Sequence, residues 1–131
     1  MIWTTRIIQT LLAAAYVMFG ILKLFTHDLQ VEIFTSTYGY SVSFMYLVGA
    51  VELAAGLGLI VGLWRPRLAL ISGGVIAVIM ACAMLTHIRS HEGMRTSVLP
   101  LIFLGMAIFV VVRVQQAIIT RGRSNKCRIN R

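Results

Sequence analysis

Four long apolar stretches, at about 7–25, 44–63, 68–86 and 97–114, dominate the order of residues along the chain, and short polar breaks separate them. Each is close to the ~20 residues that a helix, rising about 1.5 Å per residue, needs to cross a hydrocarbon layer of ~30 Å. Trp64-Arg65-Pro66-Arg67 reads as a tight polar turn between the second and third stretches, and Arg89-Ser90-His91-Glu92-Gly93 as the turn between the third and fourth. Pro100 falls in the first turn of the fourth, where a missing N–H costs little. The first stretch has a rival reading as a cleaved signal peptide, with Arg6 as the positive region and Ala13-Ala14-Ala15 near a cleavage site. Its apolar run continues through Phe25, beyond what a cleaved leader needs, so we read it as a retained span. The pattern therefore predicts an all-α integral membrane four-helix bundle: one four-span domain over 1–120 and a basic tail over 121–131.

The segment 26–42 is too polar to span and too apolar for a simple linker. Leu29, Ile33 and Phe34 can share one face of a helix, with Asp28, Gln30 and Glu32 elsewhere, and Tyr38 and Tyr40 are typical interface anchors. We expect a short amphipathic helix lying on the outer surface between the first and second spans.

Composition supports lipid as the solvent. Of 131 residues, 59% are hydrophobic and only 12% charged, against about a quarter charged in ordinary soluble domains. The net charge of +8 raises the question of nucleic acid, but the basic residues are placed otherwise. Arg121, Arg123, Lys126, Arg128 and Arg131 lie in the tail, and most others sit at the edges of apolar runs. That is the layout of membrane flanks facing anionic headgroups, so the expected partner is lipid and not nucleic acid. With the N-terminus inside, Arg6, Arg65, Arg67, Arg113 and the tail are cytoplasmic, against Lys23, Arg89 and Arg95 outside. The positive-inside rule then places both termini in the cytoplasm and the protein in the plasma (inner) membrane. Cys82 and Cys127 are far apart and form no CxxC, so no disulfide framework or redox dithiol is expected.

Ionisable groups inside a span are costly and mark function by default. Lys23, Glu52 and His87 are the three candidates, all in the expected outer half of the bilayer. By helical rise Glu52 lies ~12 Å deep and Lys23 ~3 Å inside its span end, with His87 at the rim. Their faces match. Glu52 shares a side with Met45, Gly49, Gly56 and Leu59; His87 is in line with Ala69, Gly73, Ile76, Met80 and Ala83; Lys23 continues a stripe of Thr5, Gln9, Leu12, Tyr16, Phe19 and His27. Small residues on a transmembrane face allow close helix approach, so these sides are expected to face inward, onto one pocket. Other readings stay open: Lys23 can snorkel to the headgroups, Glu52 can serve packing as a protonated carboxyl, and His87 can be an interfacial histidine. His87 and His91 have i, i+4 spacing, but Gly93 suggests that the helix ends nearby, and we expect no metal site. No phosphate loop, nucleophile elbow or paired catalytic acids appear.

Three segments carry a family resemblance: Phe19-Gly20-Ile21-Leu22-Lys23-Leu24, Val51-Glu52-Leu53-Ala54-Ala55-Gly56-Leu57-Gly58-Leu59, and Ala83-Met84-Leu85-Thr86-His87-Ile88-Arg89. In this order and spacing the chain resembles the DoxX family, more closely its DoxX-like branch, over nearly its whole length. The resemblance implies a four-helix membrane bundle and supports Lys23, Glu52 and His87 as the family's polar positions. The fourth helix offers little beyond Pro100 to match, and the basic tail lies outside the pattern. Family members include the small membrane subunit of a thiosulfate:quinone oxidoreductase and proteins associated with membrane redox complexes or thiol-stress handling.

Two functions are weighed. In the first, the chain is an accessory of a quinone-linked redox system. A quinone headgroup would bind near Lys23, Glu52 and His87, with Tyr16, Phe19 and Met80 as walls, and a buried carboxyl beside a histidine would supply protons. The sequence carries no electron carrier of its own, so no intrinsic cofactor is expected beyond a bound quinone, and a partner protein would bring electrons. In the second, the chain is a non-catalytic scaffold or assembly factor whose polar cluster fixes helix register. A transporter is a third option that would need a homo-oligomer to enclose a path.

Overall fold

A computed structural model describes residues 2–25, 28–91 and 93–129. Five α-helices follow in order: α1 (Ile2–Leu24), the short α2 (Asp28–Glu32), α3 (Val42–Val61), α4 (Pro66–Arg89) and α5 (Met94–Ile129). A π-helical turn, Ile33–Thr37, continues α2. The described residues contain no strand, and α1, α3, α4 and α5 are each long and apolar enough to cross a membrane. The all-helical, four-span architecture expected from the pattern is what forms.

Local chemistry sets the helix starts. Ser41 caps α3 by accepting a hydrogen bond on its side chain from the Phe44 N–H at 3.2 Å, satisfying one of the orphan donors of the first turn. Pro66 begins α4, where it has no intrahelical bond to lose. At the far end of α4, His91 at φ 53° and Gly93 at φ 81° turn the chain into α5.

The spans pack as a ring of neighbours: α1 on α3, α3 on α4, α4 on α5, and α5 back on α1, with the first and third contacts the most extensive. The core holds Leu12, Tyr16, Leu59, Ile76, Met80 and Val110. The faces expected to point inward do so: Gln9, Leu12, Tyr16 and Lys23 of α1, Met45, Gly49, Glu52, Gly56 and Leu59 of α3, and Ala69, Gly73, Ile76 and Met80 of α4 are buried. His27, the end of the α1 stripe, lies outside the described residues, as does Glu92. Leu11, Met18, Leu47, Leu57, Ile71 and Val78 face outward and are exposed. Apolar surface this extensive is unsustainable in water and natural in lipid.

Two glycines set how closely α1 and α3 approach. A Cβ on Gly20 would lie 2.7 Å from the Leu53 backbone nitrogen and 2.8 Å from the Gly49 carbonyl oxygen. One on Gly49 would lie 2.7 Å from the Cβ of Lys23. Only glycine fits at these backbone crossings, and the same closeness brings the Lys23 stem over α3.

Two elements take a more specific form than the pattern gave. The short helix expected between the first and second spans forms as the five residues of α2; the π turn follows it, and Gly39 at φ 70° redirects the chain. Leu29, expected on the apolar face, is 58% exposed, whereas Ile33 and Phe34 turn into the bundle. The fourth helix does not stop near 114: α5 runs 36 residues, about 54 Å against a ~30 Å hydrocarbon layer. Pro100, expected in the first turn, lies inside α5, six residues after Met94; no proline follows it, and the last turns, which absorb the tail through Ile129, are exposed. Helical hydrogen bonding can continue there because water solvates the charged side chains.

Candidate functional site

Lys23 and Glu52 meet between α1 and α3. Lys23 Nζ donates to Glu52 Oε2 at 2.7 Å, and the two residues are 8% and 3% exposed. Lys23 thus turns inward and does not snorkel. The contact follows from the glycine-tight crossing: with Lys23 Cβ seated over Gly49, its four-carbon stem reaches along α3 to the carboxylate one helical turn further on. The ammonium also lies 5.8 Å from the Phe19 ring centroid and 5.7 Å from that of Phe34. A charge this dry is held by its counter-ion and by the negative faces of aromatic rings.

Four helical spans and residues 30–40 line a cavity of about 540 Å³ above this pair. Lys23, Glu52 and His87 all line it, together with Phe34, Tyr38, Met80 and Phe103. Its wall also includes Leu47, Val51, Val78 and Leu99, which are exposed on the bundle exterior, so the cavity communicates sideways with the lipid. His87 is not alone at the rim: Tyr38 Oη and His87 Nδ1 are 3.2 Å apart, with the rings edge-on at 90°. Which of the two donates follows the histidine tautomer. Beside them, Tyr40 Oη lies 3.1 Å from Thr86 Oγ1, which in turn donates to the Cys82 carbonyl at 3.0 Å.

Tyr16, expected as a wall of the quinone pocket, is placed differently. It lies beneath the cavity, fully buried, with its ring edge-on to Phe19 at 6.3 Å and to Phe103 at 6.0 Å. It does not line the cavity, and its hydroxyl has no hydrogen-bond partner among the described residues. A buried hydroxyl left unpaired costs about 1–3 kcal/mol.

The sequence reading missed the role of the 26–42 segment. Tyr38 and Tyr40, read as interface anchors, also roof the cavity and contact α4 through His87 and Thr86. A signal was present: Phe34, Tyr38, Tyr40 and Phe44 fall within eleven residues, and their rings pack at centroid distances of 4.9–6.4 Å. The i, i+4 spacing of His87 and His91 does not persist, because α4 ends at Arg89 and His91 adopts a left-handed conformation. Among the described residues no group of three or more His, Cys, Asp and Glu is placed to hold a metal ion.

Chemically, the cavity offers an ammonium, a hydroxyl–imidazole pair and aromatic walls at the end of a lipid-facing opening. These features define a class: four-span helical membrane proteins with a polar pocket set into the bundle. Comparison with known families narrows it. The family model for the DoxX-like family matches residues 7–110, and the chain belongs to that family. The match begins within α1, covers α2, α3 and α4, and ends within α5. No curated protein and no solved structure matches the chain.

Proposed function

We propose that the protein binds the headgroup of an isoprenoid quinone in the cavity above Lys23 and Glu52, as an accessory of a quinone-linked membrane redox system. One observation carries the reading: a cavity of about 540 Å³ joins a buried ion pair and the Tyr38–His87 pair and opens toward lipid. Pockets of this size, mostly apolar with a few convergent polar groups, suit a small amphiphile. An aromatic ring carrying carbonyls needs flat apolar walls and hydrogen-bond donors. Lys23 uses one of its three N–H donors on Glu52, and Tyr38 and His87 supply others. Reduction of a quinone to its quinol takes up two electrons and two protons. The protons would pass through Glu52 and His87, and the electrons would come from a partner protein.

By the positive-inside argument the cavity lies in the outer half of the plasma (inner) membrane. The ends of the helices support this reading, because Arg6, Arg65, Arg67 and Arg113 gather at the end opposite the cavity.

A second reading has its own observation. The Lys23–Glu52 pair is satisfied within the protein, and such a pair can fix the register of α1 on α3 without any ligand, as in a scaffold or assembly factor. One experiment separates the two. The protein is purified in mild detergent and its isoprenoid quinones are quantified by mass spectrometry, beside Ala83→Phe, which fills the cavity from α4 and leaves the ion pair intact. The quinone reading expects enrichment in wild type and its loss in an equally stable variant. Equal, background amounts in both would sink it and favour the scaffold.

A further inference from the structure

A second cavity, of about 510 Å³, lies at the opposite end of the bundle. Its walls are two helical faces. Ile2, Thr5, Arg6 and Gln9 recur at i, i+3, i+4 and i+7 on α1. Arg113, Gln116, Thr120 and Arg121 do so at i, i+3, i+7 and i+8 on α5. Residues at these spacings share one side of a helix. The α3–α4 turn closes the floor with Leu63 and Trp64, and Gln9 is held there by donating to the Leu59 carbonyl at 2.8 Å.

Three arginines therefore line one cavity, Arg113 with its guanidinium carbon 5.9 Å from the Phe109 ring centroid, and among the described residues no carboxylate lines it. The whole chain has only four acidic residues, Asp28, Glu32, Glu52 and Glu92, none of which falls within the segments that build this end. Like charges gathered in a partly enclosed site focus a positive field and call for an anion. Arginine forks match phosphate oxygens two at a time, which a lysine cluster would not.

The setting also says what carries the phosphate. Trp64 is 76% exposed beside the cavity, as expected of a residue at headgroup level. Ile2, Leu63, Val114 and Ile118 give the same cavity apolar walls. A free anion has no use for these, whereas a glycerophospholipid has both a phosphate and a glycerol–acyl junction to place. We propose that this basic cavity is a binding site for the phosphate of an anionic phospholipid, independent of the quinone reading of the other cavity.

The test is native mass spectrometry of the full chain in detergent micelles, titrated with phosphatidylglycerol and with phosphatidylcholine of the same acyl chains. Wild type is expected to retain phosphatidylglycerol roughly tenfold more tightly. Arg6→Gln/Arg113→Gln/Arg121→Gln should lose that preference. Arg6→Gln/Arg121→Gln, which changes only exposed residues and so preserves the fold, should lose most of it. Arg123→Gln/Arg128→Gln removes the same number of charges from α5 beyond the cavity and should change little. Equal loss in this last variant would mean that the helix attracts lipid by net charge alone, and the site would be overturned. No preference in wild type would overturn it too. So would inorganic phosphate at millimolar concentration displacing phosphatidylglycerol completely, which would make the cavity a free-phosphate site.

Discussion

Removing either member of the Lys23–Glu52 pair should destabilise the bundle far more than removing both. In Lys23→Met a carboxyl 3% exposed loses its ion-pair partner, and in Glu52→Leu the same happens to an ammonium 8% exposed. Breaking a buried pair from one side costs about 3–5 kcal/mol in soluble proteins. A ceiling follows from proton transfer to or from solvent: at pH 7 an ordinary carboxyl can be neutralised for roughly 4 kcal/mol and an ordinary ammonium for roughly 5. In a membrane the unfolded reference also finds polar partners, which lowers the figure, so about 2–4 kcal/mol per single variant is expected. Lys23→Met/Glu52→Leu replaces both groups by apolar ones of similar shape and should fall within about 1 kcal/mol of wild type. The coupling between the two sites is then roughly 3–9 kcal/mol, well beyond experimental scatter. Unfolding in mixed dodecyl maltoside and dodecyl sulfate micelles, followed by helical circular dichroism, measures all four proteins. If each single variant costs under about 1 kcal/mol and the double variant is their sum, the pair is not held as described and Lys23 reaches the headgroups instead.

Three further outcomes follow from the packing and the cavity roof. Gly49→Ala should cost about 1–3 kcal/mol in the same assay, because its methyl meets Lys23 Cβ. Gly105→Ala, which meets nothing within 4 Å, should be neutral or slightly stabilising, and equal effects at the two positions would contradict the crossing. Tyr16→Phe removes a buried hydroxyl without a partner and should be neutral or stabilising by up to about 1 kcal/mol; a loss of stability would show that the hydroxyl is satisfied in the membrane. Tyr38→Phe deletes the hydroxyl opposite His87 and should lower quinone retention in the mass-spectrometric assay while costing about 0.5–1.5 kcal/mol of stability. Undiminished retention would remove Tyr38 from the site.

The spans and their inward faces were legible because lipid leaves the sequence so few options. Every backbone group must be paired within a span, so each crossing is a helix, and its small or polar residues have only other helices to face. Gly49, Glu52 and Gly56 on one side of α3 are enough to orient it, and the matching polar face of α1 brings Lys23 within reach of Glu52, whereas depth alone equally allowed Lys23 to snorkel. The roof of the cavity was not legible for the same kind of reason reversed. Residues 28–41 lie outside the spans, where a π turn and Gly39 set the path, and neither follows a periodicity that reads out as a face. Tyr38 and Tyr40 satisfied the interface rule so well that their second possibility, as partners for His87 and Thr86, drew no attention. The basic cavity was missed because Arg6, Arg113 and Arg121 served to fix orientation. A charge that explains topology can also line a site, and only the packing of α1 on α5 brings these three together.

The packing also explains why both cavities lie where they do. Glycine crossings bring α1 and α3 together, and α4 and α5 form the other extensive contact, while the contacts between these two pairs are sparser. Empty space therefore collects between the pairs, at the two ends of the bundle on either side of the Leu12–Leu59–Ile76–Val110 core. At one end the space is lined by an internally satisfied ion pair and a tyrosine–histidine pair, so it can accept a ligand that is neutral overall. At the other it is lined by three arginines and no carboxylate among the described residues, so it favours an anion. The two sites share helices but no residue. Emptying one by substitution should therefore leave binding at the other intact, which allows each proposal to be tested in a protein where the other has been removed.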